Sequence, residues 1–151
     1  MDRRSILGSW AAAFVAAPAF ARQALAAGEK KHRLAIHVDQ SDIAQMNTAL
    51  GNALNVFEHY RSRGEEVEIE IVAYSQGLHM LREDSSPVKE RISILREKMP
   101  SIVFSACDNT KRRMEKQEGR NIKLIPEATL VPSGVVRLME LQEQGWTYVR
   151  P

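Results

Sequence analysis

The sequence predicts an α/β fold, a three-layer sandwich built on a mainly parallel sheet. Three observations carry this. Short apolar runs alternate with longer amphipathic stretches; the runs are too continuously apolar for a sheet with one wet face; and capping residues, Gly or Pro bound the amphipathic stretches. The chain has 151 residues, 44% hydrophobic and 26% charged, and is neither collagen-like, disordered nor a polytopic membrane sequence. Three parts are expected: an export segment over 1–26, a polar linker over 27–32, and one domain over 33–151.

Leu34 to Val38 reads as a buried strand. Ser41 and Asp42 offer N-caps for the next helix, with Gln45 as a capping-box partner. Ile43, Met46, Leu50, Ala53, Leu54 and Phe57 follow at helical spacing until Gly64. Val67 to Tyr74 predicts a second strand, with Glu68 and Glu70 on a face partly exposed near its start. Leu78 to Leu81 is too short for a helix assignment. Ser86 and Pro87 form an N-cap and first-turn pair, and Val88, Ile92, Leu95 and Met99 mark one face of a second helix. Ile102 to Ala106 is the third strand, ending at Cys107. Asp108, Asn109 and Thr110 cap a charged helix that Gly119 stops; with Met114 as its one apolar member, it reads as a solvated surface helix or a mobile basic wall. One or two extended pieces surround Pro126, Ser133 caps a last helix ending at Gly145, and Trp146 to Val149 closes the sheet.

The first 26 residues read as an address. A short basic region, an alanine-rich apolar run from Ile6 to Ala21, and Ala24-Leu25-Ala26 make an export signal cut after Ala26. Arg3-Arg4-Ser5-Ile6-Leu7 looks like a twin-arginine signal, with an ordinary secretory signal as the alternative. The run is too short to span a bilayer, so no membrane anchor is expected after cleavage, and the destination is the periplasm. Lys and Arg total 21 and Asp and Glu 19; without Arg3, Arg4, Arg22 and Asp2, 18 of each sign remain. Bulk charge gives no support to nucleic-acid binding.

In an open parallel sheet, ligands bind beyond the carboxyl ends of the strands. That edge carries Asp39 and Gln40, Ser75 to His79, Cys107 to Thr110, and Pro132 to Gly134. Cys107 is its one strong nucleophile, and as the only cysteine it excludes an intrachain disulfide. A helix start and Lys111, Arg112 and Arg113 follow it, surroundings that favour a thiolate. The competing reading is a buried structural thiol. His37, His79 and Asp39 could join Cys107 as metal ligands, but no spacing such as C-x-x-C or H-E-x-x-H supports this, and no metal is expected. There is no G-x-G-x-x-G, Walker loop or G-x-S-x-G, so no nucleotide cofactor is expected either.

The segments HVDQSD (His37–Asp42), VAYSQGLHML (Val72–Leu81), FSACDNT (Phe104–Thr110) and VPSGVVRLMELQEQGWTYVRP (Val131–Pro151) resemble, in order, those of the DsrE/DsrF-like family, over roughly residues 33 to 151. The resemblance implies a flavodoxin-like sandwich, homo- or hetero-oligomeric assembly, and in some members relay of sulfane sulfur as a cysteine persulfide. Cys107 matches the cysteine of the family's A-C-x-N-T segment. Two departures stand out. The export signal separates this chain from the cytoplasmic relay members, and Asp108 replaces a frequent glycine, setting a negative charge beside the thiol.

The expected function is therefore a periplasmic sulfur carrier, sulfurtransferase-like if it is an enzyme. Cys107 would hold the sulfur, Asn109, Thr110 and the following N–H groups would stabilise the anion, His79 or His37 would move a proton, and Asp39, Ser133 and Gly134 would be supporting or binding residues. Its partners would be a sulfane-sulfur donor, an acceptor thiol and further copies of itself. The alternative is a non-enzymatic small-molecule-binding, metal-binding or assembly module in which Cys107 is incidental.

Overall fold

The apolar runs form five strands, β1 (His32–Val38), β2 (Val67–Ala73), β3 (Val103–Cys107), β4 (Ala128–Val131) and β5 (Thr147–Val149), all paired in parallel in the order β4-β3-β2-β1-β5. The computed structural model describes residues 31–151, so the export segment and its cleavage after Ala26 lie outside the described residues. Helices α1 (Ile43–Ser62), α2 (Lys89–Lys98), α3 (Asp108–Glu118) and α4 (Gly134–Glu143) alternate with the strands, and a 3₁₀ segment (Ser75–Leu81) follows β2. The chain steps in one direction from β1 to β4, and right-handed crossovers put α1, α2 and α3 on one face. The return from β4 to β5, beside β1, reverses direction and puts α4 on the other face. The result is the three-layer, flavodoxin-like α/β/α sandwich.

Side-chain alternation divides the core between these faces. Leu34, Ile36, Val38, Ile69, Ile71 and Phe104 pack with Met46, Leu50, Ile92 and Met114 beneath the three helices. Ala35 and Val72 pack with Leu138 and Leu141 of α4, with Tyr74 and Trp146 alongside. The second core is small because one helix covers it.

Several local expectations change under tertiary contact. His32, placed in the linker, is the first residue of β1 and stacks on Tyr60. Asp42 caps α1 by accepting the Ala44 N–H at 2.9 Å, but Gln45 accepts from the Gln40 N–H and donates to the Pro151 carbonyl, so no capping box forms. Ser86 is buried and donates to the Met80 carbonyl, leaving Val88 at the cap of α2. Glu70, expected on a partly exposed face, is fully buried: Ser105 donates to it, and Arg137 of α4 binds it through two hydrogen bonds of 2.8 and 2.7 Å. Alternation along β2 could not reveal the helix that arrives over it. Buried Arg82 pairs with Asp84 and with Glu118 at the end of α3, which ties that helix down.

Gly77 fastens the 3₁₀ segment to the carboxyl end of β1. A Cβ there would lie 2.2 Å from the Val38 carbonyl oxygen, so only glycine permits this approach.

Candidate functional site

Adjacent β3 and β4 send their following helices to opposite faces, α3 to one and α4 to the other. This reversal is the topological switch point where an open α/β sheet forms its ligand crevice. Cys107 ends β3 at that point, and Pro132-Ser133-Gly134 leads from β4 into α4. The Asn109 N–H donates to the Pro132 carbonyl at 3.3 Å and closes one side.

Cys107 is itself the N-cap of α3, so Asp108, Asn109 and Thr110 form the helix's first turn and do not cap it. The Thr110 N–H donates to Cys107 Sγ at 3.4 Å, and the Thr110 hydroxyl accepts the Ser75 N–H at 3.1 Å. Alternation along β3 puts Phe104 and Ala106 in the larger core and sends Ser105 and Cys107 to the α4 face. Cys107 is buried, 4% exposed as a residue. Asp108 is paired with Arg112, Oδ2 to Nε 3.2 Å, which offsets the negative charge beside the sulfur.

Tyr74 is the next side chain along this edge. The register Ala73↔Ala106 places Tyr74 opposite Cys107, one strand spacing away at about 4.8 Å, with Val72 and Ser105 below them on the α4 face. Its ring stacks on His37 with centroids 4.6 Å apart, and a Cβ added to Gly134 would lie 2.8 Å from Tyr74 Cβ and Cδ1. Ser75, just after it, has φ of 52°, left-handed for a non-glycine residue. Burial, reinforced by Asp39, Tyr148 and Cys107 against an opposing Arg150, raises the Tyr74 phenol above its ordinary range and keeps it protonated.

His37 and Asp39 belong to a second cluster beyond Tyr74. His37 Nδ1 lies 2.7 Å from the Tyr148 hydroxyl, while Nε2 is buried without a hydrogen-bond partner, 3.9 Å from Asp39 Oδ2. A neutral imidazole with a carboxylate on that side keeps its proton on Nε2, so the Tyr148 hydroxyl donates to Nδ1. Burial lowers the His37 pKa; Asp39 pulls it upward and Arg150 pushes it down. Burial opposes ionisation of Asp39, but hydrogen bonds from Arg150 Nη2 at 3.0 and 2.9 Å, helped by His37, hold its carboxyl below the ordinary range.

The structure thus gathers Cys107, Asn109, Thr110, Ser133 and Gly134 at the switch point. His37 and Asp39 stand apart, because His37 is two strands from Cys107 with the Tyr74 ring between them. His79 lies elsewhere, its Nδ1 2.8 Å from Ser85 Oγ. Ser133 precedes α4 without a side-chain capping bond. The sequence reading missed Tyr74, Tyr148 and Arg150; Tyr74 was visible as the last residue before a turn at the ligand edge. Among the described residues, no three His, Cys, Asp or Glu side chains form a group suited to a metal ion. A hollow of about 440 Å³ lies at the opposite, amino edge of the sheet beside Phe57, Arg61 and Glu65. That edge carries the paired Lys31–Glu68 and His32–Glu65 side chains and, among the described residues, no convergent helix starts.

No family model and no curated protein matches the chain. Among solved structures it is similar to one described as "Protein of Unknown Function MTH1491 from Methanobacterium thermoautotrophicum", with 32% identity and a TM-score of 0.67 over 80% of this chain and 99% of that one. That description carries no activity across. With this identity over nearly the full length of the other protein, the chain belongs to the same family as the Methanobacterium protein.

Proposed function

We propose that the protein is a periplasmic sulfur carrier, exported by its N-terminal segment, in which Cys107 holds sulfane sulfur as a persulfide. The observation that carries this reading is the position of Cys107 Sγ as the N-cap of α3 at the β3/β4 switch point, where the Thr110 N–H meets the sulfur and the start of α4 lies beside it. Unpaired N–H groups at helix starts favour anions, which both a thiolate and a persulfide are. The Cys107 thiolate attacks the outer sulfur of thiosulfate, the donor's S–S bond breaks, sulfite leaves with the bonding pair, and the protein carries Cys–S–S⁻. An acceptor thiolate then takes the terminal sulfur and releases the Cys107 thiolate. The thiol proton of Cys107 leaves to solvent before the attack, and neither sulfur-transfer step then moves a proton, so neither requires His37 or His79 at the sulfur.

The test is incubation with thiosulfate or polysulfide followed by intact mass measurement. Wild type should gain one sulfur atom and Cys107→Ser none; equal gain, or gain in neither, removes the carrier role. The outward side of α4 favours a second reading. Val135, Val136 and Met139 are exposed there, which suits an assembly module that binds further copies of itself, with Cys107 incidental. Under that reading Cys107→Ser leaves both assembly and cellular phenotype intact.

A further inference from the structure

We infer that Tyr74, braced against Gly134, is a size gate over the Cys107 thiol that limits its sulfur donor to a small inorganic sulfane-sulfur anion and its acceptor to a small thiol; the identity of those partners rests on the carrier reading, and the gate itself does not. Gly134 follows β4 by three residues, yet its Cα approaches Tyr74, which follows β2. Strand β3 lies between β2 and β4. The segment from Pro132 to Gly134 must therefore cross the carboxyl end of β3 on the α4 face, where Cys107 points. This segment and the Tyr74 ring roof the sulfur and account for the 4% exposure of a residue outside both hydrophobic clusters.

A strained backbone and an orphaned polar atom flank the Tyr74 ring. Ser75 is held at φ 52°, and His37, packed against the far face of the Tyr74 ring, keeps a buried Nε2 without a partner. Only glycine at 134 permits this approach, because a Cβ would sit 2.8 Å from both Tyr74 Cβ and Cδ1. Such a gate opens by the movement of a single side chain. It admits a thiosulfate or short polysulfide, and the starts of α3 and α4 favour anions within it, whereas a protein-borne persulfide is too broad.

The test labels the purified full chain with iodoacetamide and with a maleimide-bearing polyethylene glycol, each rate divided by that of the urea-unfolded chain. Wild type should disfavour the bulky reagent by about tenfold or more, Tyr74→Phe should keep that ratio, and Tyr74→Ala should bring it toward one. A wild-type ratio of one overturns the gate without any variant, as does a folded Tyr74→Ala that keeps the wild-type ratio. Thiosulfate loading is measured on the same samples. Size discrimination without sulfur uptake would remove the carrier and leave the gate; uptake with a flat ratio would do the reverse.

Discussion

His37 gives the fold a pH signature that a single substitution isolates. Its neutral imidazole is buried between Tyr74 and Tyr148, near Asp39 and Arg150, and burial sets its folded pKa below the ordinary 6.5. Between the folded and unfolded values the unfolded chain binds more protons, so stability rises with pH across that window and is lost as pH falls below about 6.5. The carboxyls of Asp39, Asp84 and Glu118 are held below their ordinary values, so their contributions persist through this window and are lost only in stronger acid. Thermal melts of wild type should therefore drop between pH 7 and 5.5, and His37→Gln should flatten that slope. Parallel slopes would show that the imidazole is not the titrating group. The sequence revealed the half of the site that depends on local chain order: Cys107 and Thr110 stand at a helix start, and Gly134 at another. It could not separate His37 from Cys107, because the ring between them comes from a third strand and its position depends on pairing register. Nor could it show that Ser85 takes up His79.

At the scale of elements, one ion pair joins β2 to α4 across the smaller core. Glu70 is fully buried and Arg137 reaches it from a partly exposed position. Arg137→Met would strand an uncompensated charge and should cost about 3 kcal/mol, the lower end for breaking a buried pair because water can still reach the vacated side. Adding Glu70→Gln should recover most of that loss, since the amide oxygen still accepts from Ser105 and no charge remains. Urea unfolding at constant m-value would measure both, and a double variant no better than the single would mean the loss lies in packing. Gly77→Ala drives a Cβ into the Val38 carbonyl and should cost about 1–3 kcal/mol or more, read the same way. Most elements were legible because their signals are local. Strand runs, Asp42, Gly119 and Gly145 act within a few residues. The 3₁₀ segment and buried Glu70 were not, since Gly77 docks on β1 and Arg137 arrives 67 residues downstream.

At the scale of the molecule, the two faces of the sheet are unequally covered, and this follows from topology. Among the described residues, four strands laid down in one direction place three helices on one side, and the single reversal to β5 puts one helix, α4, on the other. Leu138 and Leu141 turn inward from α4, while Val135, Val136 and Met139 form an outward stripe at i, i+1 and i+4 spacing, each about half exposed. Such a stripe gains by leaving water, at about 25 cal/mol per Å² of apolar surface removed. In a two-fold contact each copy contributes the same stripe, so the gain is doubled. Three side chains a copy fall short of the roughly 800 Å² per partner of a stable interface. Neighbouring polar surface must complete it, which makes the stripe the centre where substitution has the largest effect. Light scattering in the micromolar range should accordingly give a mass of two or more chains. Val136→Glu with Met139→Glu should reduce it to one while leaving the far-ultraviolet circular dichroism unchanged, because neither side chain supports the fold. A wild-type mass of one chain at tens of micromolar would mean that water is the normal neighbour of this stripe.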